Sequence, residues 1–476
     1  MDAIDLAIVG AGAAGTYVAH EISLLRPDWS VELFERTSRI GGRLRSVTVP
    51  GAQHPIELGG MRYYSNHPLV SAVVAQFGIP TRPFGVGRGP DRLVLRGLVS
   101  AVADPEAGAR YDLADDERGL AAGDLTRMGF ERILPGSTTV ERDGWAAALA
   151  GATLGGRPLA DWSMRDALSQ VLSAEGYRFV NEAFGYDSGV VGFNVADALP
   201  YMLGAGHPGL KAIVPEAGMD RITGALSQGF VARGGQIAFE HELLAIELDG
   251  GVQRLTFANG RTVNATRVVL ALPAPALRIL AADRAAPLRG PRVMALLDTV
   301  DDWPAAKLYL WYERPWWRDD GFGGVRTMTD LAPRKAYYFD EPGDTGPAVM
   351  LAAYTDGQPT AAWRQLSDVS PAGSAASAAM LAAVRDHLRT MHPTVTDVPE
   401  PLGSAFKDWG ADPHETGWHF WRAGARSNDV IASIVQPDQR LAFFICGEAF
   451  SRSQAWVEGA FETGAVVVDR LTRAER

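Results

Sequence analysis

Three observations predict an α/β chain in which a doubly wound, Rossmann-like domain is assembled from separated segments and carries two insertions. The first is a strand, a glycine turn and a helix at the start: the apolar run 6–9, then Gly10, Gly12 and Gly15, then helix-like spacing over 17–25. The second is a matching apolar strand near the other end, 441–446, which closes on Gly447 and Glu448 and leads into another helix-like run. The third is length. At 476 residues the chain exceeds a single hydrophobic core and holds roughly three masses of about 150 residues each.

Each part of the first segment has a physical task. Gly10 permits the tight turn, Gly12 lets backbone approach a pyrophosphate, and Gly15 allows the helix to pack closely on the strand. Ala14 lies in the same turn, at the helix N-terminus, where unpaired N–H groups and the helix dipole attract phosphate. The next strand, 30–35, ends in Glu35, 20 residues after Gly15, where a carboxylate accepts hydrogen bonds from an adenosine ribose; Arg36 follows. Together these predict a dinucleotide site, although the turn alone does not separate NAD from FAD. Two further glycine pairs follow, Gly41-Gly42 before Arg43 and Gly59-Gly60 before Met61 and Arg62. Such pairs let backbone pass close to a flat cofactor, with Arg43 placed to neutralise phosphate.

Composition narrows the classes of function. Lys and Arg number 45 against 56 Asp and Glu, a net charge of −11 that argues against a nucleic-acid partner. The single cysteine, Cys446, excludes an intramolecular disulfide and any multi-cysteine metal site, and no metal site is predicted. The longest apolar stretch, 268–282, contains Pro273, Pro275 and Arg278 and falls short of the roughly 20 residues needed to cross a bilayer. With no secretory signal pattern at the start, the expectation is a soluble, cytoplasmic protein without a membrane partner.

The middle of the chain divides coarsely. A helix opens at 218–222, two strands around a turn span 236–248, and a hairpin joins 254–257 to 262–264 through Asn259-Gly260. A buried strand follows at 267–273. The nucleotide-binding domain is therefore expected from 1–65, 212–300 and 430–476. Residues 66–211 form a helical insertion, and 301–429 a mixed α+β insertion that would bind substrate.

The order of glycine turn, ribose acid, Gly-Gly-Arg run and terminal Gly-Glu resembles the flavin-dependent amine oxidase superfamily. That resemblance implies FAD as the cofactor, held in a glutathione-reductase type domain. It also implies that Glu448 meets the ribityl-phosphate part, that Ala455, Trp456 and Val457 lie beside the isoalloxazine, and that Leu243 adds a further contact. Covalently linked relatives carry a cysteine near Gly417-Trp418; this chain has none there, so the FAD is expected to be non-covalent.

Within the superfamily the chain is most similar to L-amino acid oxidases. Arg62 matches the arginine that pairs with the substrate carboxylate, a task suited to its planar fork. Tyr354 matches the tyrosine that adds a hydrogen bond to that carboxylate. Lys307, in an otherwise apolar strand where an unpaired lysine would be costly, matches the lysine that holds a water beside flavin N5. Trp456 matches the aromatic wall of the substrate pocket, and Trp418 with Trp421 is expected to extend it. Nine of the twelve tryptophans lie between Trp303 and Trp456 and would form an apolar cage favouring large apolar or aromatic side chains. A cationic substrate would instead draw on Asp319, Asp320 or Glu415. No histidine is assigned as a base, although His67 and His207 lie near candidate segments.

The resemblance thus implies oxidative deamination of an L-amino acid to a 2-oxo acid, ammonia and hydrogen peroxide, with the small substrate and dioxygen as partners. Such oxidases often form homodimers. Two related chemistries use the same parts: oxidative decarboxylation to an amide by a flavin monooxygenase, and oxidation of amines, polyamines or larger natural products. The fold also occurs in proteins that escort prenylated GTPases, but intact flavin segments at both ends argue against that binding role.

Overall fold

The computed structural model describes residues 3–85, 89–205, 209–282, 284–339, 346–368 and 375–473. Its first sheet is built on the strand Ile4–Val9, whose Leu6, Ala7 and Ile8 have no exposed surface. That strand runs parallel to Val31–Phe34 on one side and to Thr262–Leu270 on the other. Gln236–Ala238 extends the sheet in parallel beyond Val31–Phe34. The far edge of Thr262–Leu270 is shared: its first part pairs antiparallel with Val252–Phe257, while Val268, Val269 and Leu270 pair parallel with Phe443–Ile445. A strand buried on both faces reads as an unbroken apolar run wherever it lies in the chain, which is why both ends were legible as members of one sheet.

The helix Ala13–Leu25 packs against Asp220–Ala232 and Val457–Arg473, with Tyr17 stacked on Phe461 at 4.8 Å between ring centres. Its approach to the sheet depends on bare backbone. A side chain at Gly15 would place its Cβ 1.9 Å from the Gly10 carbonyl oxygen, and one at Gly10, whose φ is +102°, would sit 2.5 Å from the Ala271 oxygen.

The second sheet runs in the order Gly403–Asp408, Ala305–Tyr312, Ala348–Asp356, Lys335–Phe339, Arg326–Thr329, Arg92–Leu95 and Leu98–Ala101. Its last two strands correct the expectation of a helical segment over 66–211. They come from that insertion and complete the edge of the other insertion's sheet, through parallel pairing of Arg92–Leu95 with Arg326–Thr329. The remainder of the insertion holds the helices Ala122–Ile133, Met164–Val171, Ala174–Phe184 and Val195–Ala205. A small sheet joins Ala212–Pro215 to Tyr63–Tyr64 and Thr81–Pro83, so it straddles the expected boundaries at 65/66 and 211/212. The strands expected within 236–248 exist but do not pair with each other. Gln236–Ala238 joins Val31–Phe34 in parallel and Leu243–Asp249 joins Val252–Phe257 in an antiparallel pair.

Since the Gly15 position admits no side chain without moving the turn, Gly15→Ala is expected to lose about 3 kcal/mol of stability and to purify depleted of yellow cofactor. Thermal unfolding and the visible spectrum of the purified variant check this.

Candidate active site

At the carboxyl end of Ile4–Val9, where open α/β sheets receive ligands, lies a cavity of ≈ 250 Å³. The first-sheet turns contribute Gly10, Gly12, Ala14, Glu35, Arg36, Gly42, Arg43 and Leu243 to its lining. Gly59, Gly60, Gly447 and Glu448 add bare backbone and one acid, while Lys307, Tyr354, Trp418, Ala455, Trp456 and Val457 complete the wall. Three predicted residues do not line it. Gly15 is used up in packing the helix on the turn, the Met61 side chain is buried among Leu58, Tyr309 and Leu351, and Arg62 stands beside Trp456 within a ring of aromatic side chains.

The cradle is made of backbone held too close for side chains. A Cβ on Gly42 would come within 3.1 Å of the Gly12 Cα, and one on Gly59 within 1.8 Å of the Arg43 oxygen. Arg39, which sequence reasoning passed over, ties this loop together by donating to the carbonyls of Gly42 at 2.6 Å, Ile40 at 3.2 Å and Leu44 at 3.3 Å. Glu35 is fixed at the edge of the cavity: it accepts the Ala11 N–H at 3.0 Å and both the Thr37 N–H and hydroxyl at 2.8 Å. Its Oε2, which accepts only the Ala11 N–H, retains acceptor capacity for a ribose hydroxyl. These features fit a dinucleotide.

Two arginines differ from expectation. Arg43, expected to neutralise phosphate, is ion-paired with Glu448 at 2.5 Å and donates to the Gly417 carbonyl at 3.2 Å. Arg36 pairs with Asp412 at 2.8 Å and Glu415 at 3.5 Å. Both still line the cavity, with their charges partly matched within the protein, and the backbone N–H groups of the turn would add to any phosphate recognition. Burial alone would raise the Glu448 carboxyl, but Arg43, His419 and the Ala455 N–H at 2.9 Å outweigh it and hold it down at about 2. The same Ala455 N–H explains why a non-glycine residue adopts a φ of +67° here, a conformation retained only where surrounding bonds impose it.

Lys307 and Tyr354 are direct cross-strand partners in the second sheet. The Lys307 ammonium donates to the Glu57 carbonyl at 3.0 Å and the Gly59 carbonyl at 2.5 Å, and lies 4.6 Å from the centre of the Tyr354 ring. Burial pushes it down to about 7, partly offset by the nearby Glu57 carboxyl, which burial in turn pushes up to about 8. An ammonium has three donors. Two are committed to carbonyls, so one N–H remains for a water or reacting group.

Trp456 and Arg62 share an aromatic cluster. The Trp456 indole N–H donates to the Tyr201 hydroxyl at 2.9 Å, and its ring lies 4.9 Å from Tyr64 and 5.1 Å from His67. The Arg62 guanidinium stands 5.0 Å from the Phe84 ring centre, 5.7 Å from Tyr64, and 5.9 Å from both Tyr337 and Trp456. Among the described residues no carboxylate pairs with it. Burial opposes its charge, but the surrounding Tyr337, Tyr64 and Tyr186 hydroxyls outweigh that and hold it firmly protonated. Burial pushes the His67 imidazole down to about 4, so it stands neutral beside Trp456. His207 lies outside the described residues.

The tryptophan clustering is mostly core packing. Trp316, Trp317, Trp363 and Trp421 are fully buried, and only Trp409, Trp418 and Trp456 reach the cavity. Trp421, expected in the cage, instead packs on Phe450. The acids considered for a cationic substrate are also spoken for. Asp319 pairs with Arg314 at 2.7 Å, Asp320 sits between Arg92 at 2.6 Å and His392 at 2.9 Å, and Glu415 pairs with Lys407 at 2.8 Å. Residues missed at the sequence level include Tyr186, Tyr201 and Tyr337. Tyr186 meets Tyr354 edge-on at 5.2 Å and Trp418 at 6.2 Å. Nothing in their local spacing marks them, since they come from the helical insertion and a strand that meet only in three dimensions.

Comparison with known proteins decides the family. The model for flavin-containing amine oxidoreductases matches residues 22–472. The chain belongs to that family. This amine oxidoreductase is 26% identical to Aplysianin-A of Aplysia kurodai, covering 100% of this chain and 91% of that protein. It is also 26% identical to the flavin-dependent L-tryptophan oxidase RebO of Lentzea aerocolonigenes, covering 97% of each. Its fold superposes on cyclohexylamine oxidase from Brevibacterium oxydans with a TM-score of 0.73 at 18% identity, covering 100% of both chains. The protein is therefore an FAD-dependent enzyme of the amine and amino acid oxidase type.

Among the described residues no group of three or more His, Cys, Asp or Glu could hold a metal ion, and no helix is long and apolar enough to cross a membrane. Cys446 is buried, its thiol pushed up to about 12 by that burial, and it does not line the cavity. Heat denaturation of the amine oxidoreductase is accordingly expected to release all of its FAD to the supernatant. Flavin absorbance remaining with the precipitated chain would contradict non-covalent binding.

Proposed function

We propose that this enzyme oxidises L-amino acids to 2-oxo acids with release of ammonia and hydrogen peroxide. The observation that carries this reading is Arg62: a charged guanidinium, enclosed by four aromatic rings, next to the cavity wall, and with no carboxylate partner among the described residues. An uncompensated charge in such surroundings is costly, and a bound carboxylate supplies the missing partner. An amine without a carboxylate has no use for it. The likeness to an L-tryptophan oxidase over 97% of the chain supports the same substrate class.

FAD, which the glycine cradle, Glu35 and Glu448 would hold, would supply the redox chemistry as hydride acceptor and electron donor to dioxygen. The chain's own residues position and exclude. Arg62 and the Tyr354 hydroxyl orient the carboxylate, and Trp456, fixed by its bond to Tyr201, forms the facing wall. Restricting the α carbon to one orientation is a large share of what a protein contributes to such a reaction. The third Lys307 N–H holds a water, or steadies negative charge as it develops on dioxygen.

Anaerobic mixing with L-amino acids is expected to bleach the flavin band, and readmitted air to yield peroxide and 2-oxo acid. Amide and carbon dioxide would instead mark a monooxygenase, and no bleaching by any L-amino acid would overturn the reading. Arg62→Met is expected to lower kcat/KM by about 10²-fold, since an unpaired bound carboxylate costs roughly 3 kcal/mol. Stopped-flow reduction of that variant measures the loss.

Lys307 gives a pH dependence with a definite sign. Its ammonium is protonated below about 7 and neutral above, where only two donors remain, both committed. Reoxidation by dioxygen should therefore slow as pH rises through about 7. In Lys307→Met that step is expected to be slower by about 10²-fold and flat across the same range, as oxygen-jump kinetics would record.

A further inference from the structure

Beyond the Arg62 cluster, a second buried basic side chain stands without an anion: burial pushes the Lys335 ammonium down to about 7, and a bound carboxylate would restore its charge. Lys335, only 5% exposed, occupies the strand Lys335–Phe339 two residues before Tyr337, so both side chains leave the sheet on the same face. Its ammonium lies 3.4 Å from the centre of the Tyr186 ring and 5.7 Å from that of Phe184. Among the described residues it forms no ion pair and no side-chain hydrogen bond. Its stem runs beneath Gly185, where an added Cβ would meet the Lys335 Cε at 2.8 Å; the φ of +72° at that helix end suits glycine alone.

The Tyr186 and Tyr337 hydroxyls stand 3.4 Å apart between the two cations. Tyr186 meets Tyr354 and Trp418, both on the cavity wall, and the Arg62 guanidinium faces the Tyr337 ring. The nearby acids are engaged elsewhere. Asp356 accepts the N–H groups of Asp187 and Ser188, each at 2.8 Å, Asp187 pairs with Arg334 at 3.0 Å, and Asp91 pairs with Arg326 at 2.5 Å. Burial would raise the Tyr337 phenol, yet Arg62, Lys335 and Arg326 pull it well below its usual value.

We infer that this wall recognises a second carboxylate, so that the preferred substrates are L-amino acids with an acidic side chain. The side-chain carboxylate is received by the Tyr186 and Tyr337 hydroxyls in the field of Lys335, while Arg62 and Tyr354 hold the α-carboxylate. This rests on the L-amino acid reading above and names its substrate class. It replaces the large apolar side chain expected from tryptophan clustering, because most of those tryptophans are core.

The test is anaerobic reduction of the purified holoenzyme by L-aspartate, L-glutamate and L-2-aminoadipate, each against a neutral amino acid of matching length such as L-asparagine, L-glutamine or L-norleucine. At least one dicarboxylate is expected to exceed its neutral counterpart in kred/Kd by about tenfold or more. Lys335→Met should bring that ratio close to unity, and Lys335→Arg should keep part of it. A wild-type ratio at or below one for all three overturns the inference, as does a Lys335→Met enzyme that keeps the wild-type ratio. Should Lys335→Met not fold, perturbation of the wild-type flavin spectrum by glutarate and by butyrate serves instead. Tighter glutarate binding is expected, and equal or weaker binding overturns the idea. Bleaching by neutral or cationic amino acids alone removes this inference and leaves the L-amino acid reading standing, whereas no bleaching by any L-amino acid removes both.

Discussion

Three donors from the second sheet and its flanking loop converge on three consecutive carbonyls. The Lys307 ammonium reaches Glu57 and Gly59, the Tyr309 hydroxyl reaches Glu57 at 3.0 Å, and the Trp409 indole reaches Leu58 at 2.7 Å. Buried carbonyls must find donors, and here the donors belong to the element that carries the substrate-facing residues. The clamp therefore does two things at once. It holds the bare backbone of Gly59 against Arg43, and it sets the point from which the chain departs toward Arg62.

The electrostatics follow from that arrangement. Burial lowers the proton affinity of Lys307, while its ammonium keeps two donors on the Glu57 and Gly59 carbonyls and one uncommitted. The cofactor side is different in kind: Glu448 is buried yet fully ionised, because Arg43, His419 and Ala455 surround it. Charges on the cofactor side are thus matched internally, whereas Arg62, beside the cavity wall, has no carboxylate partner among the described residues.

Much of this was legible because it is local. The turn at Gly10, Gly12 and Gly15, the acid at Glu35, and the terminal Gly447-Glu448 all act through backbone geometry that a few consecutive residues determine. Lys307 stood out because a lysine in an apolar strand needs a reason, and Tyr354 is its cross-strand neighbour. The roles expected of Arg43 and Arg36 were not legible. Whether an arginine meets phosphate or a carboxylate depends on acids such as Asp412 and Glu448, which lie far along the chain. The strand Arg92–Leu95 escaped for a related reason, since it joins the sheet through the distant Arg326–Thr329, and Leu98–Ala101 follows it as the edge strand.

By itself, then, the sequence determined the nucleotide-binding half of this protein: an α/β sheet drawn from both ends of the chain and a glycine cradle suited to FAD, since close backbone approach is encoded residue by residue. Only the tertiary structure decided which buried basic side chains are left without a carboxylate. Lys335 looks no different in sequence from Lys407, and nothing in the spacing around Arg62 shows that an acidic partner is missing. What sets Arg62 and Lys335 apart is that burial by Tyr186, Tyr337, Phe84 and Trp456 leaves them no carboxylate, a property of the assembled wall that no single segment carries.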